Sequence, residues 1–155
     1  MDSLSPTPPV EAGQASIDGM KVTWYREGSF WVFETTAQTE GWVAVGFNIQ
    51  NDIVGSNLIM GSVADGVPRL ADHFVVGVGD HQPVAQLGGT SQVELLKASE
   101  KDGQTMIRFR IAADARDEFH YDLRSGSSIY LILAYSVDDD FDHHSRLRQH
   151  VQVTL

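Results

Sequence analysis

Apolar and polar positions alternate with a period of two along most of this chain, the signature of strands with one buried face. In Thr105–Ile111, Ile107, Phe109 and Ile111 fall on one side and Arg108 and Arg110 on the other. Val22 and Trp24 alternate with Thr23 and Tyr25 in Lys21–Arg26. Val151, Val153 and Leu155 alternate through the closing Arg148–Leu155. Two runs, Trp42–Phe47 and Asn57–Val63, are apolar or small on both sides and read as central strands covered on both faces. Between them Asn48–Ser56 has loop composition, carries the apolar pair Ile53-Val54, and ends in a Gly-Ser turn signal. Ala15–Ile17, Ser29–Thr36, Arg69–Val76, Val93–Ser99 and Ser128–Val137 complete the predicted strands, with hairpin turns at Asp18-Gly19, Asp65-Gly66 and Asp102-Gly103. Gly77–Thr90 reads as one long loop and Ala112–Asp122 as the one helical turn. Many short strands separated by Gly and Asp turns predict an all-β antiparallel sandwich. Its predicted core is Trp42, Val43, Val45, Phe47, Ile59, Phe109, Ile111, Ile132 and Ala134.

Composition narrows this picture. Residues 1–14 are rich in Ser, Pro, Thr and Gly and are expected to be a flexible segment, leaving 15–155 as the folded domain. The segment has neither the basic nor the apolar region of a signal peptide. A chain of 155 residues fits one domain with a sizeable core. The net charge is −10 with no basic stripe to offset it, which argues against nucleic acid as a partner. There are no cysteines, so disulfides and thiolate metal sites are excluded. No apolar run is long enough to span a membrane.

Candidate chemistry is concentrated after the last buried strand, in Asp138-Asp139-Asp140-Phe141-Asp142-His143-His144-Ser145-Arg146. Carboxylates here suit a hard cation and imidazoles a transition metal; the bland alternative is a solvated acidic loop. His73 and His81 flank a Gly-rich stretch, where a histidine is more often a turn or surface residue than a ligand. The chain has no EF-hand spacing, zinc HExxH, nucleophile elbow, phosphate loop or dinucleotide fingerprint. With no activated nucleophile or acid–base pair visible, a stand-alone catalyst is not expected.

The order of several short motifs resembles the DOMON domain family, the sandwich domain found beside dopamine β-monooxygenase and in the cytochrome part of cellobiose dehydrogenase. The motifs are Gly41-Trp42-Val43-Ala44-Val45-Gly46-Phe47-Asn48, Gly55-Ser56-Asn57-Leu58-Ile59-Met60-Gly61 and Asp65-Gly66. Leu87-Gly88-Gly89-Thr90, Gly103-Gln104-Thr105, Ala134-Tyr135, Asp139-Asp140-Phe141 and His144-Ser145-Arg146 follow. The likeness runs from about Ala15 to Leu155. It implies an immunoglobulin-like β-sandwich that binds b-type haem or sugars, working in the periplasm or outside the cell.

In haem-binding members one axial ligand is a Met in the loop before Gly-Ser, and the other a His in the closing His-Ser-Lys/Arg motif. His144 matches the second. The first falls at Ile53 or Val54, neither of which binds iron, which leaves His81 or Met60 as the second ligand. A His81/His144 pair would give bis-imidazole haem.

Three readings follow from these residues. One is a haem b electron-transfer or haem-sensing domain serving a redox partner protein or membrane cytochrome, with Ile53, Val54, Phe74 and Phe141 as cleft walls. Another is a sugar-binding module with Trp24, Trp31, Trp42 or Tyr135 as the stacking platform. The third is an interaction domain binding Ca²⁺ through Asp138, Asp140 and Asp142. The His144 loop and the Asn48–Ser56 loop are expected to meet at one end of the sandwich, where loops commonly form binding sites.

Overall fold

A computed structural model describes residues 11–155. The chain runs β1 (Ala12–Ile17), β2 (Met20–Glu27), β3 (Phe30–Ala37), β4 (Val43–Asn48), β5 (Asn57–Ala64) and β6 (Val67–Gly77). It continues through β7 (Asp80–Pro83), β8 (Val93–Lys101), β9 (Gln104–Ala112), β10 (Ser128–Tyr135) and β11 (Leu147–Thr154). Five strands pair in the order β1-β2-β3-β9-β8 and six in the order β11-β10-β4-β5-β6-β7. Every pairing is antiparallel. This is the expected all-β sandwich. Two of the Asp-Gly hairpins take positive φ at both residues, 51° and 76° at Asp65-Gly66 and 54° and 75° at Asp102-Gly103, while at Asp18-Gly19 only the glycine does, at 78°. That backbone matches the twist of the flanking strands, and Asp and Gly tolerate it better than other residues.

Strand alternation sends one set of side chains between the sheets. Trp24 stacks on Phe33 with ring centroids 5.8 Å apart, and Phe33 stacks on Phe109 at 5.7 Å. Phe47 crosses from the other sheet to meet the edge of Phe33 at 5.1 Å. Ile59, Ile107, Leu131 and Leu133 fill the space around them. The nine predicted core residues are all buried. Trp42 and Ala134, however, belong to a second cluster on the outer face of the six-stranded sheet, with Ala44, Leu58, Met60, Val75 and Phe141. That second cluster is why β4 and β5 are apolar on both faces: each lies between two layers of packing.

Three local expectations are corrected. Gly77–Thr90 is not a structureless loop but holds the edge strand β7 and a 3-10 turn, Val84–Leu87. Four residues without alternation carry no strand signal; β7 forms because β6 would otherwise be an open edge. Ala112–Asp122 is not helical. Its Asp side chains accept local backbone N–H groups, Asp122 from Ala115 at 2.8 Å and Asp117 from Phe119 at 3.0 Å, which competes with helix formation. Of the segment expected to be flexible, Met1–Val10 lies outside the described residues, while Ala12–Gln14 is strand, paired with Thr23–Tyr25.

Candidate functional site

The outer face of the six-stranded sheet carries a cleft of about 220 Å³. Its floor is apolar, formed by Trp42, Ala44, Leu58, Met60, Val75 and Ala134. Five come from strand positions that point away from the inter-sheet core, as the period of two requires, and Trp42 immediately precedes β4. The walls come from three directions. Ile53 enters from the β4–β5 loop, Gly79, Asp80 and His81 from the β6–β7 edge, and Asp142, His143, His144 and Ser145 from the β10–β11 loop.

The β4–β5 and β10–β11 loops do not share an end of the sandwich. Tyr135 pairs with Val43 and Tyr130 with Asn48, so the two loops leave from opposite ends of β4. They meet because the β10–β11 loop folds back over the sheet. Its stem is fixed where Trp42 N–H donates to Asp138 O at 2.9 Å and Ser136 N–H to Trp42 O at 2.9 Å. Farther along, Trp42 Nε1–H donates to His143 O at 3.2 Å and the Ser136 hydroxyl to His144 O at 2.9 Å. The His143 and His144 rings stack with centroids 4.3 Å apart. Neither ring makes a hydrogen bond among the described residues. The β4–β5 loop is held by Asn48, which donates to Asp52 O at 2.8 Å, and by Tyr121, whose hydroxyl donates to Gly55 O at 2.5 Å.

His81 and His73 are brought together. Val75 lies opposite His81 and Pro83 opposite His73, so the two imidazoles are diagonal neighbours on one face, within reach of each other. Their Nδ1 atoms are 2.7 Å apart. His73 also meets the edge of Phe141, with centroids 6.3 Å apart. Burial lowers the His73 pKa to about 4, helped by the charge of His81 and, less, Arg69, and opposed by Asp142 and Asp72. His73 is therefore neutral at neutral pH. A second concavity of about 450 Å³ adjoins the cleft and shares His81 and Asp142 with it. Arg69 lies on its wall with its guanidinium 4.3 Å above the Phe141 ring.

The predicted site residues thus divide. His144, His81, Met60 and Ile53 line the cleft. Val54 packs against the floor cluster, and Phe141 is part of that cluster. Met60 is 1% exposed, a floor residue rather than one reaching into the cleft. Phe74 faces the other way, one residue out of phase with Val75, and packs on Phe119 with centroids 5.4 Å apart. The aromatic platform is not offered by Trp24, Trp31 or Tyr135, which belong to the inter-sheet core; stacking on a sugar needs an open ring face. Trp42 alone of the four lines the cleft, and it is only 4% exposed.

Asp138, Asp140 and Asp142 do not converge. Asp138 accepts from Asp140 N–H at 2.8 Å and Asp140 from Asp142 N–H at 3.0 Å, so successive carboxylates bend the loop instead of sharing an ion. No group of three metal-ligating side chains occurs among the described residues. Millimolar Ca²⁺ is expected to leave the melting temperature unchanged, since an ion that bound the folded state would raise it by mass action. A rise of several degrees would reinstate a calcium site.

One buried constellation escaped the sequence reading. His120 lies between two carboxylates, with Nε2 2.6 Å from Asp72 Oδ2 and Nδ1 2.6 Å from Asp117 Oδ1. Asp72 also accepts from the Asn57 side chain at 2.6 Å and the Gln92 N–H at 2.9 Å. Burial is the largest single influence on His120 and lowers its pKa, but hydrogen bonds and charge from Asp72 and Asp117 together hold it above its ordinary value. Burial likewise pushes Asp117 up, and donors from Thr90, His120 and Phe119 outweigh it and hold it below the usual carboxylate value. The three residues tie the irregular 113–127 segment to β6. No spacing in the sequence links position 72 to position 120; the signal was absent.

The fold is an all-β antiparallel sandwich with a histidine-walled cleft on one outer face. The DOMON domain family matches residues 16–136, and the chain belongs to that family. It is 26% identical over 122 residues to MOXD1 homolog 2 of Drosophila melanogaster, and 28% identical over 142 residues to DBH-like monooxygenase protein 2 of Mus musculus. Those alignments cover 79% and 88% of this chain but 16% and 22% of the relatives, so the chain corresponds to one part of much longer proteins. Among solved structures it is similar to the cytochrome b domain of pyranose dehydrogenase from Coprinopsis cinerea, with TM-score 0.67, 10% identity, and coverage of 88% of this chain and 77% of that one. The cytochrome domain of Myriococcum thermophilum cellobiose dehydrogenase gives TM-score 0.63 at 11% identity, covering 93% and 81%. At these identities the likeness shows the fold. Among the described residues no helix is long and apolar enough to cross a membrane.

Proposed function

We propose that this DOMON domain binds b-type haem in the outer-face cleft, with His144 and His81 as axial ligands, and acts as an electron-transfer module. The observation that carries the reading is a cleft with an apolar floor and imidazoles on separate walls, His81 from the β7 edge and His144 from the β10–β11 loop. The solved cytochrome domains that share the fold support it. The donor set fits the group. An apolar floor suits an apolar macrocycle, neutral imidazole is a haem ligand, and the His144 ring has no competing hydrogen bond among the described residues. His81 spends Nδ1 on His73, leaving Nε2 as its ligating nitrogen. The cleft is smaller than the roughly 300–1,000 Å³ of pockets that enclose a whole ligand. It would therefore hold part of the macrocycle rather than enclose it.

Bound haem would supply one-electron chemistry. This chain's residues would hold it, keep water from one face, and set its potential. Bis-imidazole ligation gives a lower potential than a His/Met site, because Met ligation raises it. The domain would then pass electrons to or from a redox protein or membrane cytochrome, in the periplasm or outside the cell, rather than act as a catalyst by itself.

Titration with hemin tests this. The wild-type protein should take up one equivalent and give a low-spin spectrum with a sharp Soret band. His144→Ala should lose that spectrum, His81→Ala should become high-spin, and Met60→Leu should leave it intact. No uptake by the wild type, or an unaltered spectrum in His144→Ala, would overturn the assignment.

A further inference from the structure

Between His73 and His81 lies a hydrogen bond whose chemistry is asymmetric. Two imidazole Nδ1 atoms 2.7 Å apart must share one proton, one ring donating and the other accepting. Two protonated nitrogens would repel, and so would two lone pairs. The choice of donor decides what each ring can do with its remaining nitrogen. If His81 donates, its Nε2 carries the lone pair and can ligate. If His73 donates, the Nε2 of neutral His81 carries the proton and cannot.

We infer that His73 is the positioning residue for His81: it accepts the His81 Nδ1–H, fixes the ring's orientation, and presents Nε2 as the ligating atom. This rests on the proposed haem function and adds a named second layer to it. The fold supports the assignment from both sides. His73 is 7% exposed on a strand with four others on one side and β7 on the other, and its ring stands against Phe141, so it has little freedom to turn away. His81 is half-buried on the four-residue edge strand β7, which is held to the sheet by β6 alone. The β6–β7 register also slips between Val75 and Gly77, just where His81 is placed. A ligand on so short an element needs a partner to define its direction, and such outer partners of metal-bound histidine both orient the ring and raise its basicity.

His73→Phe removes the acceptor while keeping a ring of similar size against Phe141. His73→Asn keeps an acceptor oxygen near the same place. In the haem-free protein, ¹⁵N-resolved NMR of the histidine rings should show His81 protonated at Nδ1 in the wild type and in His73→Asn. In His73→Phe the proton should move to Nε2, the tautomer that free imidazole side chains favour. With hemin added, His73→Phe should bind about 10–100-fold more weakly and show a higher midpoint potential, because a less basic imidazole stabilises the ferric state less. His73→Asn should lie near the wild type in both. A His81 tautomer and a potential unchanged in His73→Phe, with hemin bound normally, would overturn this inference and leave the haem assignment standing. No hemin uptake by the wild type would overturn both.

Discussion

Asp72→Ala is expected to cost about 3–5 kcal/mol of folding free energy, the range for removing one partner of a buried ion pair. The Asp72 side chain is fully buried and that of His120 is 1% exposed. Removing the carboxylate strips an acceptor from His120 Nε2, the Asn57 amide and the Gln92 N–H at once. None of these donors can reach solvent cheaply. For a domain of this size the loss corresponds to a fall in melting temperature on the order of 10 °C. Urea unfolding of the two proteins would measure it.

The same pair predicts how the loss varies with pH. The pKa of His120 is raised above its unfolded value of 6.5, so its stabilisation is complete below that value and fades as pH rises through the folded one. Asp117 is lowered below 3.8, so its part is complete above that value and fades as pH falls through the folded one. The difference between wild type and Asp72→Ala should therefore be largest between about pH 4 and 6.5 and shrink toward alkaline pH. A difference that stays constant from pH 5 to 9 would mean that His120 is not charged in the folded state. His73 works in the opposite direction, since its lowered pKa favours the folded state above 6.5. The difference between the two proteins cancels that contribution only in part, because the Asp72 charge itself raises the His73 pKa.

Gly41→Ala should be nearly as damaging, by a different route. A Cβ at Gly41 would fall on the backbone oxygen of Ser136 and the backbone nitrogen and oxygen of Asp138. These atoms form the stem of the β10–β11 loop, and Thr39 locks them further by donating its hydroxyl to Ser136 O at 2.5 Å. Backbone cannot rotate aside as a side chain can. The stem must separate from Trp42, at about 3 kcal/mol, the upper part of the usual overpacking cost. The loop that carries His143 and His144 would then lift from the cleft. Faster tryptic cleavage at Arg146 and loss of hemin uptake should accompany the lower melting temperature. Gly77→Ala is the control, because a Cβ there meets nothing within 4 Å. If Gly41→Ala melts with Gly77→Ala, the stem does not pack as described.

Much of the fold was legible in the sequence because strand geometry writes itself into a period of two. Val22 and Trp24, Ile107 and Phe109, and the Asp-Gly turns each state their conformation locally. The double-sided apolar runs of β4 and β5 even announced a second packed layer. His144 and Ile53 could be named as cleft residues from their place in ordered motifs. Other features could not be named, since they depend on which strands become neighbours. His73 and His81 pair only because β7 adds to the edge of β6 with Val75 opposite His81. Asp72 and His120 meet across 48 positions of chain. Phe74 and Val75 are equally apolar, and register alone sends one inward and the other to the cleft floor. The path of the β10–β11 loop was also undetermined, because an acidic run looks the same whether it gathers round an ion or bends through its own backbone. Strand periodicity alone was enough to specify a β-sandwich with a second apolar face. The tertiary structure decided that this face is a cleft and which histidines look into it, because those contacts join residues whose separation along the chain carries no periodic signal.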